Sequence, residues 1–192
     1  MYLKLARLIV SAFIIVLIYG VQTINASQSS LKIEIKMENH SSLKNKIKKL
    51  AQEVEKTAEL YQTSNQRAYW EIEGKKSFLS LLRSEGYYSS TIDVELPNKD
   101  KNIIIFHIEP WQRYKLSNIN IEHSKESNSS VTLPEISKFG LKEGKYAIAE
   151  DLILVQEDIM KMIEKNNCLL SLSVSHKAII NHFDDVVDIT YS

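Results

Sequence analysis

Residues Phe78 to Trp111 read FLSLLRSEGYYSSTIDVELPNKDKNIIIFHIEPW. Phe78, Leu79 and Leu82 are apolar at helical spacing, and the pattern stops at Gly86, the residue that tolerates a positive φ just past a helix end. After Tyr87 and Tyr88 the chain alternates strictly, with Ile92, Val94 and Leu96 on one face and Thr91, Asp93 and Glu95 on the other, which predicts a half-buried strand. Pro97-Asn98-Lys99-Asp100 is a turn cluster. Ile103 to Phe106 then return as a second strand that ends before Pro110-Trp111. Helix, glycine stop, strand, turn, strand is half of a small α+β module.

Upstream, Leu31, Ile33, Ile35 and Met37 alternate with Lys32, Glu34 and Lys36 and predict a first strand. Ser41 and Ser42 are N-cap candidates for a helix whose apolar stripe is Leu43, Ile47, Leu50, Val54, Ala58 and Tyr61. The unit over 31–110 therefore reads strand, helix, helix, strand, strand. Downstream the order restarts over 114–192. A strand runs from Tyr114 to Glu122, and a short helix limited by Pro134 follows at Val131–Phe139. A glycine-flanked turn at 140–144 precedes a long helix from Ala147 to Lys165. Strands are expected at Cys168–Val174 and Val186–Tyr191. Ile33 and Ile35 match Ile119 and Ile121, while Leu79, Leu82, Ile92 and Val94 match Ile159, Met162, Leu172 and Val174 at one offset. This predicts an internal duplication. The expected fold class is α+β, with two tandem β-α-α-β-β modules, each a three-stranded mixed sheet with two helices on one face.

Ahead of both modules, Lys4 and Arg7 precede an apolar run from Leu8 to Val21, and Ala26 offers a small residue at a cleavage point. Residues 1–26 read as a signal peptide. The run is shorter than the roughly 20 residues a spanning helix needs. An uncleaved anchor is the second reading, and both place the remainder outside the cytoplasm.

The 192 residues carry 24 basic and 24 acidic side chains, so no net field draws the chain to nucleic acid. One cysteine, Cys168, excludes an intramolecular disulfide and a cysteine-rich zinc site. His40, His107, His123, His176 and His182 are scattered without the spacing of a metal pair. His107 is expected to face outward from its strand. Cys168 reads as a small apolar strand residue, and Asp184, Asp185 and Asp188 as a polar turn and strand start. No phosphate loop, nucleophile elbow or carboxylate pair appears. The expectation is a protein without catalytic residues, metal or cofactor.

The helix ending Leu-Leu-Arg-Ser-Glu-Gly-Tyr-Tyr, followed by an alternating and then a hydrophobic strand, resembles a POTRA (polypeptide-transport-associated) domain. Glu109 to Ile119, with Pro110 and Trp111, resembles the junction between two such domains, and Leu141-Lys142-Glu143-Gly144 also fits. The tandem is most similar to the amino-terminal part of the outer-membrane assembly factors of the TamA and BamA family. Gly86, Tyr87, Tyr88, Pro110 and Trp111 carry the resemblance. Asn166-Asn167-Cys168 replaces the Gly-Tyr pair in the second unit.

The resemblance implies a periplasmic, outer-membrane-associated protein that binds other proteins, namely unfolded outer-membrane clients, an assembly partner or an inner-membrane TamB-like subunit. The family's membrane barrel has no counterpart in this sequence, which suggests a truncated or split gene product. The alternatives are a stand-alone membrane-anchored adaptor and a non-functional fragment. A three-stranded sheet leaves edges that accept an extended segment. The expected binding edge is Ser90, Thr91, Ile92, Asp93, Val94, Glu95 and Leu96. A second expected contact is the helix face bearing Lys44, Lys48, Lys49 and Glu53.

Overall fold

The computed structural model describes residues 30–60, 66–97, 102–123, 131–167 and 173–192. Both readings of the N-terminal segment fall on residues 1–29, outside the described residues, as do Cys168 and Leu172. The first unit runs β1 (Lys32–Lys36), α1 (Ser41–Leu60), α2 (Gln66–Ser84), β2 (Thr91–Glu95) and β3 (Ile103–Glu109). The second runs β4 (Lys115–Ile121), a 3-10 turn (Ile136–Phe139), α3 (Ala149–Asn167), β5 (His176–Asn181) and β6 (Val186–Tyr191).

The two sheets share one topology. Their orders are β1-β3-β2 and β4-β6-β5. In each, the first strand pairs parallel with the last, and the two later strands pair antiparallel. A parallel neighbour requires a crossover, and the helices provide it. The central strand of the first sheet carries the unbroken apolar run Ile103–Phe106. Ile104, Phe106 and Ile108 lie under the helices, while Ile105 is buried on the opposite face between its register partners Glu34 and Glu95.

The first core gathers Leu31, Ile33, Leu43, Ile47, Ala51, Val54, Phe78, Leu82, Ile92 and Phe106. Gly74 belongs to this packing, since a Cβ there would lie 2.9 Å from Phe106 Cζ. The same Phe106 ring meets Phe78 edge-on at 4.9 Å. The second core gathers Tyr114, Leu116, Ile119, Leu152, Val155, Ile159, Ile163, Val187, Ile189 and Tyr191. Buried Tyr191 donates from Oη to the Leu152 carbonyl at 3.0 Å, and burial pushes its phenol up to about 12.

Several expectations are corrected. Ser41 and Ser42 are not caps: they lie inside α1, whose first carbonyl, that of His40, accepts the Lys44 amide at 2.9 Å. The chain enters this helix through Asn39 and His40, at φ 53° and 59°. The helix expected at Val131–Phe139 is a single 3-10 turn, because Pro134 offers no amide to an earlier carbonyl. The strand expected at Cys168–Val174 falls mostly on residues 168–172, outside the described residues, and the strand described between α3 and β6 is His176–Asn181. The alignment of the halves shifts with it. His176 stands opposite Tyr191 as Val94 stands opposite Phe106, and Phe78, Leu82, Ile159 and Ile163 are all buried.

Candidate binding edges and the junction

Two of the four outer strands are closed by the chain itself. At β1, a Glu55 carboxylate oxygen on α1 accepts the Ile33 amide, and Lys44 donates to the Met37 carbonyl at 2.7 Å. At β4, the Leu116 amide donates to the Lys145 carbonyl at 2.7 Å, and the Gly144 amide donates to the Leu116 carbonyl at 2.8 Å. The outer strands β2 and β5 remain, and among the described residues nothing bonds to the outward amides and carbonyls of either.

The outward residues of β2 follow from the pairing. The Lys32 amide donates to the Asn102 carbonyl, so even-numbered residues of β3 face β1 and Ile105, His107 and Glu109 face β2. Their partners are Glu95, Asp93 and Thr91. The backbone groups of Ile92 and Val94 therefore point to open space, while the Ile92 side chain is held in the core. Ser90 is fastened by its hydroxyl, which lies within hydrogen-bond distance of the carbonyl oxygens of Tyr87 and Pro110, at 3.0 and 3.1 Å, and donates to one at a time. Thr91 Oγ1 accepts from the Trp111 indole at 3.1 Å. Leu96, just beyond the strand, is exposed.

Charge surrounds this edge. Glu95 Oε2 lies 2.7 Å from His107 Nε2 and 3.2 Å from Lys36 Nζ. The hydrogen bond to His107, with Lys36 adding to it, holds the Glu95 carboxyl below its usual range. Lys32, paired with Glu34 at 2.9 Å, is raised by that hydrogen bond. On the helix face, Lys44 is occupied by the Met37 carbonyl, whereas Lys48, Lys49 and Glu53 are exposed.

The predicted Gly86-Tyr87-Tyr88 motif lies where the two sheets meet. Gly86 takes φ 89°, its amide donates to the Arg83 carbonyl at 3.0 Å and the Tyr87 amide to the Leu82 carbonyl at 2.9 Å. This pair of bonds ends α2 in a Schellman motif. The two tyrosines then part: Tyr87 is buried in the first core, and Tyr88 packs against the second, edge-on to Tyr114 at 5.4 Å. Burial raises the Tyr88 phenol.

Tyr114 completes the join. Its amide donates to the Gly86 carbonyl at 2.8 Å, and its carbonyl accepts the Ala147 amide at 3.0 Å. Its hydroxyl lies within hydrogen-bond distance of Ser89 Oγ and of His182 Nδ1, the latter at 2.8 Å. Arg113 donates from Nε to the Glu85 carbonyl at 2.8 Å and lies over Tyr146, 4.4 Å from the ring centroid. Pro110 ends β3, and Trp111, at φ 56°, turns the chain toward β4.

The sequence placed Arg113 and Tyr114 in the junction and Ala147 at a helix start, but not the contacts that they, Tyr146 and His182 make, since each acts through a partner distant in the chain. His40 is edge-on to Tyr87 at 5.7 Å, and His176 lies within hydrogen-bond distance of Gln156. No group of three or more His, Cys, Asp or Glu residues able to hold a metal occurs among the described residues. No described helix is long and apolar enough to cross a membrane.

No family model matches the sequence, and no curated protein matches it. Among solved structures, the chain resembles POTRA domains of Omp85 and BamA proteins. One is POTRA1-2 of the periplasmic domain of Omp85 from Anabaena, at TM-score 0.46 and 14% identity, covering 85% of this chain and 93% of that one. POTRA3-5 of Haemophilus influenzae BamA gives TM-score 0.42 at 16% identity over 85% of this chain. BamA from Haemophilus ducreyi lacking POTRA domains 1-3 gives 0.43 at 17% identity over 85%. The chain spans 60% and 28% of the lengths of those two BamA chains.

Proposed function

We propose that this chain is the periplasmic, protein-binding part of an outer-membrane assembly factor of the TamA type, with modules at 31–110 and 114–192, and that it holds other proteins without chemistry. Extended segments add to the outer edge of β2. The single observation that carries the reading is that β1 and β4 are closed by their own chain whereas β2 is not, with Ile92 anchored in the core behind it. An incoming strand would bond to the outward backbone of Ile92 and Val94 and lie beside Thr91, Asp93 and Glu95. Clients are unfolded outer-membrane strands, and a TamB-like subunit is the partner at the inner membrane. Lys48, Lys49 and Glu53 offer a second, charged contact face. An export signal over residues 1–26 delivers the chain.

Backbone pairing over so short a strand makes about four hydrogen bonds, each worth roughly 1 kcal/mol net. The expected affinity for a model peptide of alternating hydrophobicity is therefore weak, with a Kd of about 0.1–1 mM. A photo-reactive side chain at Asp93 or Glu95 should cross-link to outer-membrane proteins during their export, and the same group at Glu53 should not capture those clients. Cross-links to clients from Glu53 but none from Asp93 or Glu95 would remove the β2 reading.

A further inference from the structure

The other open strand differs from β2 in kind. All six residues of β5, His176 to Asn181, are exposed. Ile179 is 53% exposed on the outer face, Ile180 is 37% exposed on the helix side, and Phe183, in the hairpin turn, is 94% exposed. An edge strand in water is normally guarded by charge, a bulge or a cover. Only Lys177 is permanently charged here, and β5 pairs with β6 over six consecutive positions without a break in register.

Ser175 and Ser192 exchange both backbone hydrogen bonds, at 2.8 and 2.9 Å, one position before His176 meets Tyr191. The bonded positions therefore alternate through Lys177, Ile179 and Asn181, and the backbone groups of His176, Ala178 and Ile180 point outward.

We propose that this edge is an interface with a second copy of the chain. Two β5 strands pair antiparallel about a two-fold axis through Ile179, giving one six-stranded sheet in the order β4-β6-β5-β5-β6-β4. In this register Ile179 meets its mate on the outer face, and Ala178 meets Ile180 of the other copy on the helix side. Lys177 meets Asn181 and lies beside the partner hairpin that carries Asp184 and Asp185. Apolar centre faces apolar centre, and the basic start of one strand faces the acidic turn of the other. The strip is thus complementary to itself, the property a two-fold interface demands. The β2 edge has the opposite character, since full overlap of two copies sets Asp93 against Asp93. This interface does not depend on strand addition at β2, and either can fail without the other.

The test uses the full chain carrying Cys168→Ser and Ile179→Cys, exported to an oxidising bacterial periplasm. Ile179 is a non-hydrogen-bonded position, where facing Cα atoms lie about 4.5 Å apart, within disulfide reach. The expected result is a disulfide-linked species of twice the mass of the exported chain, with none from Asp93→Cys in the same background. Adding Ala178→Pro removes an outward amide that β6 does not use, and should reduce the cross-link at least tenfold. Absence of the Ile179→Cys cross-link, or its persistence beside Ala178→Pro, overturns the proposal. Should the proline variant fail to fold, sedimentation equilibrium of the unsubstituted chain at about 50 μM decides: a dimer supports the interface and a monomer overturns it.

Discussion

Gly74 and Gly86 lack a Cβ for different reasons. Gly74 sits within α2, where glycine costs about 1 kcal/mol relative to alanine, yet the vacant position is filled by the Phe106 ring. Gly74→Ala should therefore destabilise, by about 1 kcal/mol net, because overpacking outweighs the gain in helix propensity. Gly86→Ala should cost more, about 2 kcal/mol, since it forces alanine to φ 89° and brings a Cβ to 3.1 Å from the Ala147 carbonyl oxygen. Urea unfolding of both variants checks the order. Glu95 makes a prediction about pH. Its carboxyl is depressed in the folded state, so its contribution is present above the unfolded carboxylate value of about 4.3 and is lost as pH falls through the folded one. The melting-temperature difference between the wild type and Glu95→Gln should shrink as pH is lowered from about 6 to about 3.

Among the elements, what could be read from the sequence was whatever has one buried face. β1, β2, α1 and α3 announce themselves by alternation or by a helical stripe, and β3 by its unbroken apolar run. β5 does not, because a strand with neither face covered has no reason to alternate. The run at Cys168–Val174 does alternate, and its first five residues lie outside those described. Pro134 marked the short second-unit helix as weak, though not that it would shrink to one turn. The edge role of β2 could be expected from three strands and one crossover. Which edges are closed could not, because Glu55 is 22 residues from the Ile33 amide it accepts. Glu55→Ala should lower stability by about 1 kcal/mol through the loss of this hydrogen bond. It should also open the β1 edge, so hydrogen exchange at the Ile33 amide should accelerate while exchange at Ile104 in the central strand does not.

For the whole molecule, the two cores are joined by side chains as well as by a linker. Tyr87 and Tyr88, adjacent in sequence, are rooted in different cores, and Tyr114 bonds through its backbone to each side. Tyr88→Ala should therefore cost about 2 kcal/mol and split a single unfolding transition into two, as followed by calorimetry. Small-angle scattering of the same variant should show a larger radius of gyration as the angle between the sheets becomes variable. The segment that anchors Tyr88 and Ser89 runs directly into the edge strand at Thr91. A load hung on that strand pulls on the hinge pin itself, so tension there is passed to the second sheet as torque instead of being absorbed by slack chain.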